Sequence, residues 1–301
     1  MSNIGRIDAR LHTDTGQVRD HNEDFVDCRE PTTTDEEMRN GWLYIIADGV
    51  GGADAGEVAS AYATERTIFH YLDDADRPDW GQRLIDAMFG ANRDLRQFIV
   101  DRNDNSRMAT TMVTAVIQEK NIFIGNVGDS RGYFWRNGYL QQVTKDHSLV
   151  AKLVEEGAIT PEEAKGHPHE NVILHSLGSE DSPRIDLFDL TWEAGDVLLL
   201  CSDGLTKHVE DVELGEIISS QSAEKATQTL ISLANERGGK DNISATVVKF
   251  IGKETAVSQK TKQARSGTAV ATHRTLLWLF TIGLSIAQSF LIFLAWFLLR
   301  V

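Results

Sequence analysis

TMVTAVIQEKNIFIGNVGDSRGYFWRNGYLQQVT, residues Thr111–Thr144, decides the fold class. Within it TMVTAVIQ (Thr111–Gln118), NIFIGNVG (Asn121–Gly128) and GYFWRNGYLQQVT (Gly132–Thr144) are dense in β-branched and aromatic residues, which suit a pleated, half-buried surface. The last segment contains Asn137-Gly138, the residue pair of a two-residue hairpin turn. Consecutive hairpin-like strands build an antiparallel sheet.

Further strand signals lie on either side: WLYIIADG (Trp42–Gly49), DVLLLCSDG ending at Gly204, and ISATVVKFI (Ile243–Ile251). Helical periodicity falls between them, from Glu57 (EVASAYATERTIFHYL), from Arg83 (RLIDAMFGANRDLRQFIV) and from Glu224 (EKATQTLISLANERG). Strands grouped together with helices in separate blocks predict an α+β layered domain, not a βαβ parallel sheet.

Acids recur at the ends of these strands: Asp48 in IIADGVGG, Asp129 in NVGDSRG, Asp203 in LLCSDGL, and Asp241 in GGKDNIS just before its strand. Taken singly, Asp-Gly after an apolar run is an ordinary turn. As a set, strand ends converge on one rim of a sheet, and clustered carboxylates repel unless cations neutralise them. An all-oxygen set suits Mg²⁺ and Mn²⁺, and two such ions about 3.5–4 Å apart clamp a phosphoryl group and activate water. In GVGGADAGEVAS the glycines precede a helix with Glu57 in its first turn, which also reads as a plain helix entry.

The bulk numbers set limits on function. A net charge of −15 and pI near 5.0 exclude the basic face of a nucleic-acid binder. Cys28 and Cys201 are the only cysteines and form no C-x-x-C pair, so neither a disulfide framework nor a zinc site is expected. Cys201 is followed by SDGLTKH without an arginine, which removes a cysteine-nucleophile phosphatase. No P-loop or G-x-S-x-G motif occurs. DRNDNS from Asp101 carries Ser106 where a calcium loop needs glycine.

Leu276–Leu299 is 24 residues without a charge, enough at about 1.5 Å per residue to cross a hydrocarbon core of about 30 Å. Trp278 and Trp296 stand near its ends, where tryptophan favours membrane interfaces. Lys253, Lys260, Lys262, Arg265 and Arg274 precede it against Glu254 alone, and only Arg300 follows. This bias predicts a single-pass cell-membrane (inner or plasma membrane) protein whose N-terminal part is cytoplasmic. The start, MSNIGRIDARLHTDTG, lacks the apolar run of a secretory signal. The expected division is a catalytic domain at 1–252, a basic linker at 253–274 and a transmembrane helix at 275–299. Residues 253–301 hold six Lys/Arg and one Glu, a charge of +5, which leaves −20 for residues 1–252.

The motifs together resemble the bacterial PP2C-type (PPM) metal-dependent protein phosphatases. In order they are TDTGQVRDHNED (Thr13–Asp24), ADGVGGADAGEVAS (Ala47–Ser60), MATTMVTAV (Met108–Val116), GNVGDSRGY (Gly125–Tyr133), TKDHSLV (Thr144–Val150), ENVILHSLG (Glu170–Gly178), CSDGLTKHV (Cys201–Val209) and GGKDNISATVV (Gly238–Val248). The resemblance implies a β-sandwich of two antiparallel sheets flanked by helices, with two Mn²⁺ or Mg²⁺ ions at one end and a third, weaker one beside them. By position Asp48 would bridge the metals, Gly49 would offer its carbonyl, and Asp203 and Asp241 would complete the ligation. Asp129 with Asp203 would hold the third ion, and Glu23 and Asp24 would act through water. Arg19 would grip the substrate phosphate, a role guanidinium geometry suits. The segment after Asp146, VAKLVEEGAITPEEA, corresponds to the family's flap.

The implied reaction is attack of a metal-activated water on phosphoserine or phosphothreonine in proteins, opposing a serine/threonine kinase near the membrane. Val50 stands where some members carry a histidine as general acid. His147 is the nearest substitute, although a loop histidine ordinarily does structural work. Two rival readings are a catalytically inactive phosphatase-like module that binds or senses at the membrane, and a phosphatase of small metabolites.

Overall fold

The computed structural model describes residues 6–51, 55–102 and 108–252. The chain begins with β1 (Arg6–Asp14), β2 (Asp24–Arg29), α1 (Thr34–Asn40), β3 (Trp42–Val50) and the long helices α2 (Ala55–Asp73) and α3 (Trp80–Arg102). Next come β4 (Ala109–Thr110), the hairpin of β5 (Met112–Gln118) and β6 (Asn121–Val127), and the hairpin of β7 (Arg131–Arg136) and β8 (Tyr139–Gln142). Then come α4 (Leu149–Glu155), α5 (Pro161–Ala164), β9 (Asp186–Thr191), β10 (Val197–Cys201), α6 (Asp203–Thr206), α7 (Asp211–Ser220), α8 (Ala223–Glu236) and β11 (Ile243–Gly252).

Two sheets form, one ordered β1-β11-β10-β7-β8 and the other β2-β3-β5-β6-β9 with β4 beside β3. Every ladder is antiparallel, as the run of hairpin-like strands predicts. Asn137 and Gly138 join β7 to β8 with φ of 52° and 88°, the paired positive values that a tight hairpin turn requires.

The layering follows from the two-residue period of a strand. Along β3, Leu43, Ile45 and Ala47 enter a core shared with Ala59 and Ala63 of α2 and Leu84 and Met88 of α3. The alternate residues Trp42, Tyr44 and Ile46 enter a second core between the sheets, where they meet Leu198, Leu200 and Val248. A third core joins Leu199 and Val247 to Leu214, Ile218 and Leu230 of α7 and α8. The result is helix, sheet, sheet, helix. Tyr44, Ile45 and Ile46 are fully buried, and each large side chain so placed contributes roughly 1.5–3 kcal/mol. That reserve lets the fold carry a rim of like charges.

Met1–Gly252 is one compact unit. Among the described residues no helix is long and apolar enough to cross a membrane. The basic linker and the charge-free stretch of the C-terminal segment lie outside the described residues, as do Gly52–Asp54 and most of the DRNDNS loop.

Candidate metal and phosphate site

One rim of the sandwich collects the strand ends that carry acids. Asp24 opens β2 directly opposite Asp48 near the end of β3, so both carboxylates share a face of the sheet. Asp203 follows β10 at the start of α6, Asp241 precedes β11, and Asp129 follows β6. Ser202 and Ser244 both bond Asp24 and one lysine, Lys207, reaches both Asp203 and Asp241, so these acids surround one volume. Burial, then repulsion from Asp24, Asp203, Asp129 and Asp241, holds Asp48 well above the usual carboxylate range. Burial pushes Asp129 up to about 8, with Asp203 and Asp146 adding to the rise. Asp203 is also raised by burial, against the pull of Lys207.

Asp24 is the most enclosed of the group, at 5% exposure. Burial pushes it up to about 7 against hydrogen bonds from Ser244 and Ser202, whose hydroxyls each donate to Oδ2 at 2.7 Å. Its Oδ1, together with Asp129 Oδ1 and Asp203 Oδ1, is buried without a hydrogen-bond partner. Buried polar atoms are nearly always satisfied, so three orphaned carboxylate oxygens on one rim mark a place for a cation. The donors are all oxygen, which fits Mg²⁺ or Mn²⁺. Among the described residues no three His, Cys, Asp or Glu side chains close tightly enough to hold an ion unaided. Mg²⁺ in particular keeps several waters when bound by protein carboxylates.

The two Asp-Gly pairs are not turns. Gly49 lies within β3, and a Cβ there would collide with the carbonyls of Gly56 and Glu23. Gly204 lies in α6, where a Cβ would collide with the carbonyl of Asn242. Both glycines let a second backbone approach an acid-bearing segment.

Arg19 sits on the loop between β1 and β2, and Asn242 holds that loop to the rim. The Asn242 Nδ2 donates to the carbonyls of Thr15 and His21, each at 2.9 Å, while its Oδ1 accepts from the Glu23 amide at 2.8 Å. The Arg19 Nη2 reaches Asp241 Oδ1 at 2.9 Å, and its side chain is 49% exposed. Glu23 stands beside it, raised by burial and lowered by Arg19, with its carboxylate over Gly56 at the start of α2.

Each sequence-predicted position therefore lies on or beside this rim. Two features were not anticipated. Lys207 places its Nζ 2.6 Å from Asp203 and 3.2 Å from Asp241. Arg131 grips Asp146 through Nε at 3.0 Å to each oxygen and Nη2 at 2.7 Å to Oδ2, fixing the entry to the segment of α4 and α5. Their signals in the sequence were weak, since both lie inside motifs read for the neighbouring aspartates.

His147 is in the buried interior, not at the rim. Its Nδ1 accepts from the Gly128 amide at 3.3 Å and its Nε2 faces Asp186 Oδ2 at 3.1 Å. Both ring nitrogens serve to hold loops together. Val50 is 40% exposed beside Gly49 and offers no proton.

A family model described as protein phosphatase 2C matches residues 21–274. The chain is 37% identical over 249 residues to the serine/threonine phosphatase stp of Listeria monocytogenes, a match spanning 80% of this chain and 95% of that protein. The crystal structure of serine/threonine phosphatase Stp1 from Staphylococcus aureus superposes with a TM-score of 0.74 at 34% identity, covering 84% of this chain and 98% of that one. The catalytic domain of the phosphatase PstP, solved in complex with two manganese ions, gives a TM-score of 0.68 at 34% identity over 81% of this chain and 97% of that one.

Proposed function

This chain belongs to the protein phosphatase 2C family, and from that premise we infer how its acidic rim acts. It is a metal-dependent serine/threonine protein phosphatase with Mn²⁺ or Mg²⁺ as cofactor. The residues that would hold the two ions are Asp48, the Gly49 carbonyl, Asp203 and Asp241. Asp129 with Asp203 would hold a third ion, and Glu23 and Asp24 would reach the ions through water. When bound, the ions neutralise the rim and generate a nucleophile from water at neutral pH.

The chain's own residues do the rest. Arg19, half exposed on a loop pinned by Asn242, receives the phosphate through its guanidinium fork. Ser202 and Ser244 fix the Asp24 carboxylate through Oδ2 and leave its buried Oδ1 without a hydrogen-bond partner. The leaving alkoxide takes no proton from His147, because both of its ring nitrogens are engaged in the interior.

The observation that carries this reading is the set of three orphaned carboxylate oxygens on one rim. An inactive module would have lost such acids. The test is hydrolysis of phosphoserine and phosphothreonine peptides by the full chain with and without Mn²⁺, beside Asp48→Asn. Turnover that needs metal and disappears in the variant is expected. Turnover restricted to small phosphate esters would move the substrate class away from proteins.

We also propose that residues 275–299 anchor the enzyme in the cell membrane with the catalytic domain in the cytoplasm. The absence of charge over 24 residues and the basic flank support this. Its substrates are then membrane-proximal proteins phosphorylated by a serine/threonine kinase. Resistance of the chain to alkaline extraction from membranes is the expected result, and release into the soluble fraction would remove the anchor.

A further inference from the structure

Lys207 follows α6 one helical turn after Asp203, on the same face, and its ammonium joins the two carboxylates that the proposed function assigns to metal. The Nζ stands 2.6 Å from Asp203 Oδ2 and 3.2 Å from Asp241 Oδ2. Asp241 is thus held between two cations, because its other oxygen accepts from Arg19. On the rim the acids Glu23, Asp24, Asp48, Asp129, Asp203 and Asp241 outnumber the cations Arg19 and Lys207, so Lys207 takes part in the same neutralisation as the metals.

The lysine is also free to leave. Its side chain is 31% exposed, and a flexible four-carbon stem can carry an ammonium out to water at little cost. Arg131, a cation of similar exposure nearby, is fixed by its fork to Asp146 and has no such freedom.

We propose that Lys207 is a resident counter-cation that competes with the divalent ions for Asp203 and Asp241, so that metal binding displaces its ammonium from at least one of them. The inference rests on these carboxylates being metal ligands. Lys207 is a positioning residue in the metal-free protein, where it stops two buried acids from repelling each other. It raises the free metal concentration at which the site fills. By reciprocal coupling, whatever it adds to the metal-free fold it takes from metal affinity.

The test uses the full chain, stripped of metal with a chelator, and Mn²⁺ as the only ligand. Calorimetric titration and unfolding temperature with and without Mn²⁺ are compared for the parent, Lys207→Met and Lys207→Arg. Lys207→Met is expected to bind Mn²⁺ at least about fivefold tighter, to unfold earlier when metal-free, and to gain more on metal addition than the parent. Lys207→Arg, which keeps the charge, stays near the parent. Unchanged or weaker Mn²⁺ binding in Lys207→Met overturns the proposal, since a lysine that only orients its carboxylates would weaken binding when lost. If that variant does not fold, Lys207→Gln is held to the same outcomes. Failure of the parent itself to bind Mn²⁺ removes the metal-site reading as a whole.

Discussion

Asp24 and Asp48 face each other across the ladder of β2 and β3, as directly paired residues of adjacent antiparallel strands. Like charges in that position oppose folding, and both carboxyls are pushed upward by burial and by their acidic neighbours. Removing one charge is expected to stabilise the metal-free fold while destroying the site. Asp48→Asn should raise the metal-free unfolding temperature and lower phosphopeptide turnover by at least about a hundredfold, beyond the loss typical of residues that merely support a metal ligand. A variant that loses activity and stability together would mean that Asp48 is chiefly structural.

Arg19 gives up its pairing with Asp241 when it takes a phosphate. Arg19→Lys keeps the charge but loses the fork, so kcat/KM on phosphopeptides should fall about ten- to a hundredfold. Mn²⁺ affinity measured by titration should move little. A large change in metal affinity would assign Arg19 to the metal site instead of the substrate.

Gly49→Ala tests the close approach of backbones. The added methyl would meet the Gly56 and Glu23 carbonyls, neither of which is the flexible end of a side chain. Overpacking of this kind costs about 1–3 kcal/mol, read as a lowered midpoint in urea unfolding. Gly138→Ala, where a Cβ meets nothing within 4 Å, should act only through its positive φ of 88°.

His147 sets an acid-side limit on stability. Burial, opposed by the hydrogen bond with Asp186, holds its imidazole below the usual value. A group whose folded value is depressed contributes stability above its unfolded value, about 6.5 for histidine, and loses that contribution as pH falls through the folded value. Asp186 acts later in the same direction: burial draws it upward, but bonds from Arg184 and His147 leave it below the usual carboxylate value. The rim acids, raised in the metal-free fold, act in the opposite direction as pH falls, so the histidine is read as a difference: below about pH 6.5 the unfolding temperature of His147→Asn should fall less, or rise more, than that of the parent. Parallel curves would acquit the histidine.

Arg131→Lys keeps a charge beside Asp146 and should destabilise by about 1–2 kcal/mol, the scale of lost charge-assisted hydrogen bonds, at a side chain that is 29% exposed. The fork to Asp146 is lost, and with it the bond to Tyr133 at 3.1 Å. Chemical denaturation measures the change. An effect below about 0.5 kcal/mol would place the pair among ordinary surface ion pairs.

Legibility in the sequence followed burial. Strands β3, β5 and β10 are covered on both faces, so WLYIIA, MVTAVI and VLLLC stood out as apolar runs. Strands β1, β2 and β9 were not read: RIDARLHTD alternates, but DFVDCR sets Phe25 beside Val26 and DLFDLT sets Leu187 beside Phe188, which breaks the two-residue period. All three lie at sheet edges, where charged residues dilute the apolar signal. Helix α7, DVELGEIISS, was hidden for a similar reason, having only ten residues and three acids. Asp48, Asp129, Asp203 and Asp241 were visible because each follows or precedes a strong strand, whereas Glu23 and Asp24 came only from the family resemblance. Ser202, Ser244 and Asn242 were not visible, since a hydrogen bond between distant segments leaves no spacing to detect; Lys207, four residues after Asp203, had a legible spacing that was passed over for the aspartate beside it.

Strand β11 starts two residues after Asp241 and ends at Gly252, and the register that pairs Asp14 with Ile243 pairs Arg6 with Gly252. Arg6 and Gly252 thus both lie at the rim opposite the acids, about 30 Å away at 3.3 Å per residue. Arg6 and Gly252 are therefore the positions of β1 and β11 where a change of sequence lies farthest from the face where phosphate is removed.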